Sequence, residues 1–278
     1  MSANSEDFKY LFDLIDDEND QSAAMAMAEL LKISNPALES MLCSLQESPN
    51  PRLRRRVHQL QSAIRVRGKR LKISDKFHRA KMPLLEGLIQ LHLLWFDSDT
   101  KECVMEQWNS LIDSLRKSHP QTMKQFASLM RKKGFVLPPN NCTDPESYCI
   151  GTALEDSVAS DILLASICVL AAHTISKLRL NVVLVNTEFA LADEAGNLIL
   201  PQKDWLYVPA AENKMPFFAW TDQMILKYIS SVLFTAAVSG DGFRYIYTIG
   251  KCLAGNPNDE LDFLPYPYNT KSNTEEKK

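Results

Sequence analysis

The chain has 278 residues, 45% of them hydrophobic, enough to bury a core in one large domain or two small ones. Its 31 basic and 34 acidic residues leave a net charge of -3, so no global positive field points to nucleic acid. The six cysteines, Cys43, Cys103, Cys142, Cys149, Cys168 and Cys252, include no Cys-x-x-Cys pair, which fits neither a zinc site nor a disulfide scaffold; reduced, mostly buried thiols without metal or cofactor are expected.

The opening MSANSEDFKY lacks the basic patch and apolar run of a signal peptide. The longest apolar stretch, over 160–175, is interrupted by Asp161, Ser166 and His173 and does not read as a membrane span. A cytoplasmic location with no membrane contact is expected.

Residues 5–72 read as a short run of helical repeats of HEAT-like character. Phe8, Leu11, Phe12 and Ile15 form one apolar stripe, Met25, Ala28, Leu30 and Leu31 a second, and Leu38, Met41, Leu42 and Leu45 a third. Pro49-Asn50-Pro51 breaks the pattern, and Pro51 suits a fourth helix start. That helix is rich in positive charge, with Arg52, Arg55, Arg56 and Arg65 as the candidate face for an acidic partner. The competing reading is a solvated face whose arginines pair with the acidic first helices, and the slightly negative chain, with no aromatics among the basic residues, favours it.

Lys72 to Lys81 reads as a polar connector, after which Pro83 opens a strongly apolar helix over residues 84–96. Asp97-Ser98-Asp99 reads as the cap of a helix carrying Trp108 and Ile112, and Pro120 as the start of one that stops at Gly134. His92 and His173 fall in apolar helices, where a hydrogen-bonded core histidine is the expected outcome. None of the five histidines has metal-ligand spacing to another histidine or a cysteine.

The stretch 144–191 organises the rest. A loop leads to a helix from about Ser160 to Lys177 that is apolar or small almost all round, hence buried in a sizeable domain. After Leu178 the pattern turns β-branched through Val182–Val185 into Glu188-Phe189-Ala190-Leu191, turns at 192–197 and returns through Leu198–Leu200. Trp205–Val208 is a candidate further strand, and 209–216 a polar link. From Phe217 to Asp259 two helices are expected, divided at Ser239-Gly240-Asp241-Gly242, with a low-complexity disordered tail over 269–278. The fold class is therefore α+β, predominantly helical, with a small antiparallel sheet in its centre.

Phe126–Phe135, ending in Gly134-Phe135, Asp144-Pro145-Glu146-Ser147-Tyr148, Leu154-Glu155 and the run from Ser160 to Phe189 occur in an order that resembles the bacterial SirB-type transglutaminase-like family. The resemblance implies a HEAT-like segment over 5–72, a papain- or transglutaminase-like core over 83–209 and a tetratricopeptide-like helical hairpin over 217–260. It also implies where a reactive site would stand. Active members carry a cysteine at the start of the buried helix, a histidine on the following strand as base, and a carboxylate that orients it. Here those positions hold Ser160-Asp161-Ile162, Glu188 and Leu200.

The expectation is thus a non-catalytic transglutaminase-like protein that binds a protein partner. Two alternatives stay open: a cysteine-dependent hydrolase or acyltransferase with its nucleophile relocated to Cys142 or Cys149, and a nucleic-acid-associated protein using the basic 52–72 helix.

Overall fold

The computed structural model describes residues 5–32, 36–78, 82–96, 98–139, 144–176 and 178–240, together with 249, 250 and 253. Two compact units divide the chain near Ser74.

The first unit is built from α1 (Ser5–Ile15), α2 (Asp20–Lys32), α3 (Pro36–Leu45) and the first part of α4 (Pro51–His78). Each helix turns one apolar stripe inward, and Ile15, Leu30, Leu38, Leu42, Val57 and Leu60 close into a single buried cluster. Asn50 caps α4, its side-chain oxygen accepting the Arg52 N–H at 3.0 Å. The polar connector expected over 72–81 is instead helical as far as His78. Residues 72–78, Lys-Ile-Ser-Asp-Lys-Phe-His, include no proline or glycine, so polarity alone does not end the element.

The second unit starts with α5 (Leu84–Trp95), buried almost all round as its composition requires. Next come α6 (Lys101–Ser118) and α7 (Met123–Lys132). Their caps are not the residues the sequence suggested. Thr100 caps α6, accepting from the Cys103 N–H, and Thr122 caps α7 in a reciprocal capping box with Gln125. Asp99 is engaged elsewhere, and Pro120 lies ahead of the first turn. Gly134 follows α7 with φ at +82°, the left-handed conformation that glycine adopts without strain.

What read as a loop before the buried helix holds a 3-10 turn (Pro145–Tyr148) and the seven-residue α8 (Ile150–Asp156). Elements this short carry too few periods to register in a hydrophobic pattern. The long apolar helix is α9 (Asp161–Ile175), and it packs along β1 (Leu180–Val185) and β2 (Glu188–Asp193). With β3 (Leu198–Leu200), β4 (Leu206–Val208) and β5 (Phe217–Ala219) these form a five-stranded antiparallel sheet in the order β4-β3-β2-β1-β5. In the β1–β2 ladder, Val182 faces Leu191 and Leu184 faces Phe189; Val183, Val185 and Ala190, of the other parity, belong to a separate buried cluster with Leu198 and Leu200.

Residues 217–219 were expected to open a helix. They pair instead with β1, Leu184 opposite Phe218, and the helix α10 (Asp222–Ser239) begins three residues later, capped by Thr221. The second helix of the expected hairpin lies outside the described residues except at 249, 250 and 253, as do Cys142, Cys252 and the 269–278 tail. The architecture is α+β and mainly helical with one small antiparallel sheet. Among the described residues no helix is long and apolar enough to cross a membrane.

Candidate functional site

The head of α9 is fixed from two sides before any side chain is considered. The segment leading into it bridges to the end of α7, with Val136 donating to Ser157 O at 3.0 Å and accepting from the Ala159 N–H at 3.2 Å. The Ser160 N–H then donates to Ser147 O at 2.9 Å, tying the helix start to the 3-10 turn. Asp161 follows, at the positive end of the helix dipole.

Its carboxylate is committed to the backbone. One oxygen accepts the Ile162 N–H at 2.8 Å and the other the Phe189 N–H at 2.8 Å. Burial raises the Asp161 pKa, those two N–H groups lower it, and the Glu188 charge raises it again, with a net shift upward. Glu188 is exposed, and one of its oxygens accepts from the Gln202 amide at 2.8 Å. Neither carboxylate forms an ion pair among the described residues.

An aromatic cluster is built on Phe189, whose N–H Asp161 holds. Trp220, which leaves β5 and donates its backbone N–H to Val182 O at 2.8 Å, meets Phe189 edge to face with ring centres 4.7 Å apart. Tyr228 of α10 stands 5.2 Å from Phe189, and 5.6 Å from Trp220 at an interplanar angle of 83°. Burial raises the Tyr228 phenol, and the Asp161 charge adds to it. The Tyr148 phenol is pushed up to about 12, first by burial and then by Tyr228 and Asp161. Phe189, Trp220 and Tyr228 thus form one aromatic cluster, and Tyr148 and Tyr228 lie near enough to Asp161 to feel its charge.

Comparison with family models, with curated proteins and with solved structures finds no match. The transglutaminase-like resemblance accordingly rests on the motifs named above and their order.

The positions drawn from that resemblance fall as follows. Ser160, Asp161 and Ile162 form the first turn of α9, and Glu188 opens β2 close enough to Asp161 to act on its charge. Leu200 is buried at the end of β3 in the cluster with Val183. Ile162 is fully buried. The residues that sequence reasoning missed are Trp220, Tyr228 and Gln202, each reaching the site from a different element. The one local signal was a tryptophan immediately before the helix-capping Thr221.

Cys149 follows Tyr148 at the end of the 3-10 turn. Its thiol is wholly buried and contacts Pro145 O at 3.7 Å; burial, then the charges of Glu146, Asp144 and Asp99, push it well above the ordinary thiol range. A thiol so placed is a poor nucleophile. Cys168 is likewise buried in α9, with its pKa raised by burial. Cys43 and Cys103 are exposed.

The two histidines separate. His92 is a core histidine, its Nε2 paired with an Asp99 oxygen at 2.9 Å, its ring against Phe96, and its Nδ1 without a partner among the described residues. His173, expected in the core, is exposed near the end of α9, where Nε2 meets Leu180 O at 3.1 Å. The helix outlasts its buried face at this point. Among the described residues no group of three histidine, cysteine or acidic side chains converges to hold a metal.

On the basic face of α4, Arg56 is buried and bonds Ile15 O and Asp17 O, each at 2.7 Å, and the Asp20 carboxylate. Arg52 lies 3.9 Å from Glu18, while Arg55 and Arg65 are exposed. The four candidates do not form one continuous free surface.

Proposed function

We propose that this chain is a non-catalytic protein of the transglutaminase-like kind that binds a partner protein, with contacts at and beside the head of α9. One observation carries the reading: where active members of that family hold a thiol nucleophile, Asp161 has one oxygen on the Ile162 N–H of its own helix and the other on the Phe189 N–H, which joins α9 to β2. A side chain so held shapes a surface. Beside it β5 is an edge strand, with Phe217 39% and Phe218 60% exposed. Large apolar side chains on an open sheet edge are characteristic of surfaces that pair with another chain. The HEAT-like character read over 5–72 and the tetratricopeptide-like character read over 217–260 belong to the same proposal, as both kinds of module commonly bind proteins.

The test compares affinity purification with the wild-type chain and with Phe218→Asp. A protein recovered with the first, lost with the second, and forming a saturable complex of fixed stoichiometry from purified components supports the reading. If no recovered protein forms such a complex, the reading fails. The non-catalytic part is tested by iodoacetamide labelling near neutral pH. The buried thiols of Cys149 and Cys168 should react only on unfolding, whereas a thiol reacting at least about tenfold faster than Cys43 and Cys103 would favour a cysteine-dependent enzyme.

A further inference from the structure

The outer edge of β5 has a geometry that selects its occupant. In the β1–β5 ladder Val183 faces Ala219, Leu184 faces Phe218 and Val185 faces Phe217. Trp220, next in line opposite Val182, donates its N–H to Val182 O at 2.8 Å, so Trp220–Val182 is a hydrogen-bonded pair. Bonded and non-bonded pairs alternate along an antiparallel ladder, which makes Leu184–Phe218 bonded and the pairs made by Phe217 and Ala219 non-bonded. The N–H and C=O groups of Phe217 and Ala219 therefore point away from β1, and none of them has a hydrogen-bond partner among the described residues.

Proline commonly guards an exposed sheet edge, and Pro216 stands beside this one. Its parity is that of Phe218, so its missing N–H falls on the β1 side and leaves the outer edge open. The edge closes at both ends. Met215 gives its N–H to Asn213 Oδ1 at 2.9 Å, and Thr221 O accepts the Ile225 N–H at 3.0 Å in the first turn of α10. What is left open is Phe217 and Ala219, with the exposed Phe218 between them.

This short edge is its own complement. A second β5, antiparallel to the first and turned about a two-fold axis at Phe218, sets Phe217 opposite Ala219 of the second copy and Ala219 opposite its Phe217. Every outward N–H and C=O group then has a partner, and the two Phe218 rings meet in the central non-bonded pair, where side chains approach most closely. Charge follows the same symmetry. The register that sets 217 on 219 brings Lys214 toward Asp222 of the second copy at each end of the pairing. Both residues are exposed, and neither forms an ion pair among the described residues. A second copy thus supplies the backbone groups, the ring and both opposite charges from the one segment 214–222.

We infer that β5 pairs antiparallel with β5 of a second copy of this chain, joining two five-stranded sheets into one continuous sheet about a two-fold axis at Phe218. This rests on the reading of β5 as a surface for another chain and names that chain. The contact is small, so the dimer is reversible rather than permanent.

The test is sedimentation equilibrium of the purified full chain over about 5–500 μM, the range in which a small interface associates. A reversible monomer–dimer equilibrium is expected. Ala219→Pro removes one outward N–H and takes nothing from the β1 ladder, and Phe218→Asp sets two carboxylates at the axis. Each should weaken the dimer at least about tenfold while keeping the circular dichroism of the wild type. The charges give a second measurement, which does not depend on those variants folding. Lys214→Asp and Asp222→Lys each bring like charges together and should weaken association, whereas the double variant Lys214→Asp/Asp222→Lys should restore it, because the axis pairs the two positions. A chain that is monomeric throughout, a dimer that survives Ala219→Pro, or a double variant no better than the two single ones would overturn the inference. A different protein held at the β5 edge of a chain that stays monomeric would overturn it too, and leave the protein-binding reading intact. A dimer that passes these tests, from a chain that binds no other protein, would leave the inference standing and count against that reading.

Discussion

The Asp161 carboxylate accepts the backbone N–H of Phe189 at 2.8 Å, and this one bond fastens the first turn of α9 to the start of β2. Asp161→Ala removes the acceptors of both the Phe189 and Ile162 N–H groups, in a place where Phe189 is 4% exposed and water is a poor substitute. Leaving buried donors unpaired costs about 1–3 kcal/mol. Asp161→Asn keeps one acceptor oxygen and should lose less than the alanine variant. Urea unfolding of the two variants checks the order, and equal stability of wild type and Asp161→Ala would show that the bond fastens nothing.

Gly151 lies where α8 meets the face of His92, and a Cβ built on it would overlap the imidazole ring. His92 has no room to yield, being 2% exposed and held by Asp99. Gly151→Ala should therefore destabilise by about 1–3 kcal/mol through overpacking, against a gain of about 1 kcal/mol in helix propensity. Gly87 is a parallel, because a Cβ there would overlap the Leu226 side chain and Leu226 is itself 3% exposed, so Gly87→Ala should destabilise as well. Thermal denaturation of both variants beside the wild type decides it.

Much of the fold was readable from local pattern. α5 and α9 are apolar nearly all round and are buried nearly all round; the β1–β2 hairpin and β3 followed from β-branched, apolar runs on either side of a turn; Gly134 stopped a helix where it stood. What escaped has a common physical cause. β5 has three residues and becomes a strand only by pairing with β1, more than thirty positions earlier. The site escaped for the same reason: Tyr148, Asp161, Glu188, Gln202, Trp220 and Tyr228 come from six separate elements or turns, and no local window contains them. Asp161 and Glu188 were visible as occupants of positions that the resemblance marked. The aromatic cluster was not, because its grouping is set by long-range strand and helix packing.

His92 makes stability depend on pH in a defined direction. Burial lowers its pKa below the ordinary 6.5, more than pairing with Asp99 raises it. A group whose folded value is depressed adds stability that is complete above the unfolded value and disappears as pH falls through the folded one. Protonation also places a hydrogen on Nδ1, which has no acceptor among the described residues. The wild-type urea midpoint should therefore fall between about pH 7 and about pH 5, and the His92→Gln midpoint should fall less. Asp161, whose folded value is raised, works in the opposite sense, its stabilising contribution being lost as pH rises from below its unfolded 3.8 through the folded value. Since both chains share Asp161, the difference between the two profiles isolates His92, and parallel profiles would refute the assignment.

Two neighbouring arginines on α4 provide the last separation, between a structural role and a binding one. Arg56 is buried, and its guanidinium holds Ile15 O and Asp17 O at 2.7 Å and the Asp20 carboxylate, joining the end of α1 and the start of α2 to α4. A lysine carries the charge but cannot fork to three acceptors held in those directions. Arg56→Lys should therefore cost about 1–3 kcal/mol, the loss expected when buried carbonyls lose a charged donor. Arg55 is exposed one position earlier, and Arg55→Ala should change stability by less than about 0.5 kcal/mol. Filter binding of a non-specific oligonucleotide across a salt series completes the comparison. If the basic face served nucleic acid, Arg55→Ala and Arg65→Ala would each weaken binding and flatten its salt dependence while leaving stability alone. Here the expected outcome is no salt-dependent binding by the wild type, with the energetic weight of the arginine run resting on Arg56 and the helix junction it closes.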